Sequence, residues 1–133
     1  MKVIVNVDGG SRGNPGPAAV AAVATDPSGE ELAERSETIG EATNNVAEYR
    51  ALLLGIELAK QLGATEVDLV GDSELIIKQV RGEYKVKDAG LKPLHSAAQT
   101  ALGDFSEWSL RHVKRHLNAE ADALVNQALD GEA

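Results

Sequence analysis

The stretch NNVAEYRALLLGIELAKQLGATEVDLVGDS, residues 44–73, decides the fold. Ala47, Ala51, Leu54, Gly55, Leu58 and Leu62 recur at helical spacing, which predicts a helix over Asn44–Gln61 with one apolar face, and Gly63 is the residue type at which helices stop. Val67–Val70 then reads as a short buried strand, and Ser73–Val80 as a second helix opening directly from its end. Strands joined across such a helix run parallel, because the crossover carries the chain back to the same end of the sheet.

Working outward, Val3, Ile4, Val5 and Val7 form a β-branched run that ends in Asp8-Gly9-Gly10 and opens into a glycine-rich loop reaching Pro17. Ala18–Thr25 continues as a second strand, Asp26-Pro27-Ser28-Gly29 is a turn signal, and Glu31–Ile39 makes a more polar third strand. Downstream, a polar segment holding Gly82 and Gly90 leads to a helix over Leu91–Leu102, a last strand over Trp108–Val113 and a closing helix over Ala119–Leu129. The expectation is an α/β fold: a five-stranded mixed sheet, three antiparallel strands then two parallel, flanked by about four helices in a single domain, 1–133.

The chain has 133 residues, 43% of them apolar, with no cysteine and no apolar run near the roughly 18 residues of a membrane span. MKVIVNVDGG lacks the cleavage site of a signal peptide, so the expectation is a soluble cytoplasmic protein with no membrane partner; a monomer is expected as well. Twenty-one acidic against 13 basic residues give a net charge of −8, the wrong sign for steering phosphates, so any nucleic-acid contact must be local. Acids gather at Asp26, Glu30, Glu31, Glu34, Glu37 and Glu41; Arg111, His112, Lys114, Arg115 and His116 form a stretch free of acids. A surface this acidic, with 7 Lys, also suits a salt-rich cytoplasm, where screening shortens surface electrostatics.

Four acids stand where packing does not ask for an acid: Asp8 and Asp72 at the ends of the two most apolar strands, Glu48 and Asp122 in the first turns of helices. Each has a competing structural role. Asp8 could begin a turn, Asp72 could cap the helix starting at Ser73, Asn45 and Glu48 fit a capping box, and Asp122 could complement a helix dipole. Geometry favours convergence, because ligands gather beyond the carboxyl ends of parallel strands. Four oxygen donors with no cysteine select Mg²⁺ or Mn²⁺ over zinc, and such a site can hold two ions about 3.5–4 Å apart, the arrangement that serves phosphodiester hydrolysis. The loop Gly9–Gly16 lacks both the GxGxxG pattern and a Gly-Lys-Ser/Thr ending, so it reads as a hairpin rather than a nucleotide cradle.

DGGSRGNPG, TNNVAEYRAL, GDS and NAEADALVNQA, in that order and each with its acid, resemble type 1 ribonuclease H over nearly the whole chain. The resemblance implies that Asp8, Glu48, Asp72 and Asp122 hold two Mg²⁺ or Mn²⁺ ions, with no organic cofactor. It implies that a metal-activated water cuts the RNA strand of an RNA/DNA hybrid, leaving 5′-phosphate and 3′-hydroxyl ends. By the same resemblance Asn14, Asn44 and Asn45 touch the hybrid in its minor groove, Thr43 forms part of a pocket for a DNA-strand phosphate, and His116 assists proton transfer or product departure. Asn14 as a turn residue, Asn45 as a helix cap and His116 as an ordinary exposed histidine are the alternatives.

Two departures matter. Glu41 stands where the family pocket has an arginine, and the Trp-rich basic protrusion of some bacterial members is not evident between Ile76 and Leu94, which indicates the short form. Glu41 keeps open a substrate of double-stranded RNA or DNA junctions on the same fold. A non-catalytic nucleic-acid-binding domain is the third reading, opposed by the four intact carboxylates, since unused clustered acids repel.

Overall fold

The computed structural model describes residues 1–131; the last two positions of the expected 1–133 domain lie outside the described residues. In chain order the elements are β1 (Lys2–Ser11), β2 (Gly16–Thr25), β3 (Glu31–Ala42), α1 (Asn44–Gln61), β4 (Glu66–Gly71), α2 (Glu74–Val80), α3 (Lys92–Leu102), β5 (Glu107–His112), a 3₁₀ turn (Arg115–Asn118) and α4 (Ala119–Asp130). The five strands form one sheet in the order β3-β2-β1-β4-β5. The β1–β2 and β2–β3 pairs are antiparallel, whereas β1–β4 and β4–β5 are parallel. The expected mixed sheet and its flanking helices are therefore observed.

Each face of the sheet buries a different set of alternating residues. In β2, Val20, Ala22 and Ala24 join the main core with α1 and α3, while Ala19 and Ala21 pack beneath Val125 and Leu129 of α4. Because both faces are covered, nearly every residue of β2 is buried. The turn between β2 and β3 is held by Asp26, whose side chain accepts from the backbone of Ser28 and Glu30 at 2.9 and 3.0 Å. Among the described residues, no helix is long and apolar enough to cross a membrane. Residues 81–91, between α2 and α3, contain no helix.

One boundary differs from the sequence reading in a way that positions the site. The expected loop from Gly9 to Pro17 is mostly strand: β1 continues through Gly9 and Gly10 to Ser11, paired with β2 up to Ala18. Glycine is required at position 9 by packing rather than by a turn, since a Cβ there would lie 2.2 Å from the carbonyl oxygen of Ala47. Helix α1 thus rests backbone against backbone on β1, one residue from both Asp8 and Glu48.

Candidate active site

The register of β1 on β4 ends at Asn6 opposite Val70, and two residues further along each chain stand Asp8 and Asp72. Beyond the last pair the strands part, and a cleft with about 300 Å³ of space is lined by Asp8, Gly9, Glu48, Gly71, Asp72 and Ser73, with apolar side chains behind them. Glu48 enters from the first turns of α1 and Asp72 from the end of β4. Asp122, in the first turn of α4, comes from the other face of the sheet and lies within hydrogen-bonding reach of Asp8. All four expected ligands are therefore brought to one edge.

Among the described residues, no three of these four bring carboxylate oxygens within 4.8 Å of one another. The trio that does so is Glu31, Glu34 and Glu120, exposed on the surface away from the cleft.

The competing structural roles of the four acids fall to other residues. Asp8 lies inside β1 rather than in a turn. Ser73 caps α2, accepting from the backbone N–H of Ile76, so Asp72 is free of that task. Thr43, not Asn45, caps α1 by accepting from the N–H of Val46 at 3.2 Å, so the anticipated Asn45–Glu48 capping box is absent. Threonine at the cap satisfies an otherwise orphaned N–H, worth about 1 kcal/mol. Asp122 does sit where a helix dipole favours an acid.

Electrostatics mark the cleft as strained. Burial, then the charge of Asp72, then the hydrogen bond and charge of Asp122 push Asp8 from 3.8 up to about 8, with Arg115 opposing. Burial raises Glu48 as well and Asp72 adds to it, while hydrogen bonds from Ser73 and Asn44 and the charge of Arg115 pull it back. One oxygen of Asp72, Oδ2, is buried with no hydrogen-bond partner, as is the hydroxyl of Ser11.

The expected substrate contacts line the same edge but are partly engaged in the protein. Asn14 accepts from the backbone N–H of Asn44 at 3.0 Å, tying the β1–β2 loop to the start of α1. Asn44 accepts from the N–H of Ser11 and donates to Glu48 Oε1 at 2.9 Å. Asn45 is half-buried on the first turn of α1. His116 is exposed on the 3₁₀ turn. Glu41 is exposed on β3 opposite Pro17. Sequence reasoning missed Arg115 as a site residue, although it is the cation whose charge reaches both Asp8 and Glu48. The signal was there in the acid-free run Arg111–His116 leading toward Asp122.

A family model described as "Reverse transcriptase-like" matches residues 6–128. Ribonuclease HI of Halobacterium salinarum is 47% identical over 123 residues, covering 92% of this chain and 62% of that protein. A bifunctional protein of Mycobacterium tuberculosis is 46% identical over 134 residues, and the chain spans only 37% of its length. The crystal structure of RNase H1 from the same halophilic archaeon superimposes with a TM-score of 0.97 at 45% identity, covering 98% of this chain and 99% of that one. LC11-RNase H1, solved in complex with an RNA/DNA hybrid, gives a TM-score of 0.93 at 42% identity, with 98% of both chains covered. With the family model spanning residues 6–128 and relatives of this identity across the whole fold, the chain belongs to the reverse transcriptase-like family of ribonuclease H domains, and its resemblance to type 1 ribonuclease H is borne out.

Proposed function

We propose that the chain is a metal-dependent endonuclease that hydrolyses the RNA strand of RNA/DNA hybrids, leaving 5′-phosphate and 3′-hydroxyl ends. The observation that carries this reading is Asp72 Oδ2, a buried carboxylate oxygen with no hydrogen-bond partner, on a cleft shared with Asp8 and Glu48. An unpaired buried oxygen is costly, and a cation satisfies it. The donors are carboxylates only, which fits hard ions such as Mg²⁺ or Mn²⁺. Two such ions, held by Asp8, Glu48, Asp72 and Asp122, would supply the positive charge that activates water and stabilises the leaving oxygen.

The protein's own groups do the rest. Asn14, Asn44, Asn45 and Thr43 lie along one edge beside Glu48, where amides can donate to and accept from the 2′-hydroxyls that distinguish RNA from DNA. Arg115 partly offsets the carboxylate charge that an approaching phosphate would meet. His116, exposed on the 3₁₀ turn beside Arg115, is the residue that the family resemblance assigns to proton transfer or product departure. A relative crystallised with a hybrid supports this substrate class.

The test is cleavage of one end-labelled sequence presented as RNA/DNA hybrid, double-stranded RNA, single-stranded RNA and double-stranded DNA, with Mg²⁺, Mn²⁺ or chelator, at low and molar KCl. Hybrid-selective cutting that chelator abolishes is expected, and Asp8→Asn should lose cutting while keeping hybrid binding. Equal cutting of double-stranded RNA would mean that Glu41 relaxes strand choice. No cutting at any salt would overturn the reading.

A further inference from the structure

Asn118 opens α4 yet makes no side-chain cap hydrogen bond, although asparagine is among the best capping residues. Its side chain is 2% exposed and turned inward. The amide donates to the carbonyl oxygen of Val7 at 2.8 Å and accepts from Asn6 Nδ2 at 3.0 Å. Val7 can only accept there, which fixes the orientation of the amide. Both ends of one carboxamide are therefore used to fasten the start of α4 to β1, across 111 and 112 positions of sequence.

The next rung of the same ladder is the pair Asp8 and Asp122. Asn6 and Asp8 are two residues apart on a strand and face the same side, about 6.7 Å apart along it. Asn118 immediately precedes α4 and Asp122 lies in its first turn, about 6 Å further along the chain's rise. Asn6 meets Asn118 and Asp8 meets Asp122, so the neutral amide rung and the acidic one join the same two elements in succession. The acidic rung is repulsive, since the charge of Asp122 acts against that of Asp8.

We propose that the Asn6–Asn118 rung is a positioning device for the metal centre, setting the separation of Asp8 and Asp122 against their mutual repulsion; this rests on the metal-dependent reading above. It is suited to the task because it is uncharged, so it adds attraction between β1 and α4 without competing for the cation. Asn118 is the stronger half, with two hydrogen bonds. Asn6 contributes the one that Asn118→Ala and Asn6→Ala both remove.

The experiment uses the full chain and two variants, Asn6→Ala and Asn118→Ala, each assayed at least 15 °C below its own metal-free melting temperature. Mn²⁺ affinity is read by electron paramagnetic resonance without nucleic acid, and kcat and KM for an RNA/DNA hybrid at saturating Mn²⁺. Loss of a group that hydrogen-bonds a metal ligand directly weakens metal binding about 10- to 100-fold; Asn118 acts one residue away, through the carbonyl of Val7, so Asn118→Ala should weaken it by about 10-fold and Asn6→Ala by less. The expected kinetic change is in kcat, with KM for the hybrid held within about twofold. A merely structural role would lower the melting temperature and leave the affinity of the folded protein unchanged. Wild-type affinity and kcat in folded Asn118→Ala would overturn the inference. Absence of Mn²⁺ binding by the unsubstituted chain would overturn the metal-dependent reading itself and this inference with it. Normal binding without hybrid cleavage would overturn only the substrate, and the affinity series would still decide the rung.

Discussion

Asp8 meets two opposed demands: burial and neighbouring carboxylates keep it protonated up to about pH 8, whereas holding a cation requires it ionised. Its folded value lies above the roughly 3.9 of an unfolded aspartate, so protonation favours the folded state. That contribution is complete below about pH 4 and is lost as pH rises toward 8, on the order of a few kcal/mol in all. In chelator, the melting temperature should therefore fall between pH 5 and 8.5. Millimolar Mg²⁺ or Mn²⁺ should raise it and flatten that fall, because the ion takes the place of the proton. Metal binding near pH 7 should release a proton, measurable by calorimetry in two buffers of different ionisation heat. Binding without proton release would count against Asp8 as a ligand. At this scale the four acids were legible because acids stand out at the ends of apolar strands and on helix first turns. Their freedom from capping was not, since Thr43 and Ser73 are as ordinary in sequence as the alternatives.

Helix α1 is placed by two glycine contacts of different kinds. At Gly9, an added Cβ would meet the carbonyl oxygen of Ala47 at 2.2 Å, backbone against backbone. At Gly55, it would meet Val7 Cγ1 at 2.4 Å, a side-chain methyl in the core. Gly9→Ala and Gly55→Ala should each destabilise by about 1–3 kcal/mol in urea unfolding, the usual cost of overpacking. Only Gly9→Ala should also weaken Mn²⁺ binding, because α1 must move off β1 beside Glu48. Equal metal affinity in the two variants would show that this close approach does not set the position of Glu48. The extension of β1 through Gly9 and Gly10 was illegible for the same reason: glycines after a strand signal a turn unless a helix lies against them.

Across the whole molecule, 21 acidic and 13 basic residues repel one another on balance, and the ion pairs observed are mostly exposed. Molar KCl shortens the screening length to about 3 Å, so the melting temperature should rise as KCl is raised from 0.05 to 2 M. A salt-independent melting curve would remove the case for adaptation to a salt-rich cytoplasm. The sequence by itself determined the apolar run of β2, the helical stripe of α1, the order of strands and helices along the chain, and the four acids as candidates. These are local patterns, set by periods of about two and 3.6 residues. Only the tertiary structure decided that Asp8 and Asp122 come within hydrogen-bonding reach, that the charge of Arg115 reaches Asp8 and Glu48, and that Asn118 fastens α4 to β1. Those are distances through space between residues more than 60 positions apart, and no periodicity along the chain encodes them.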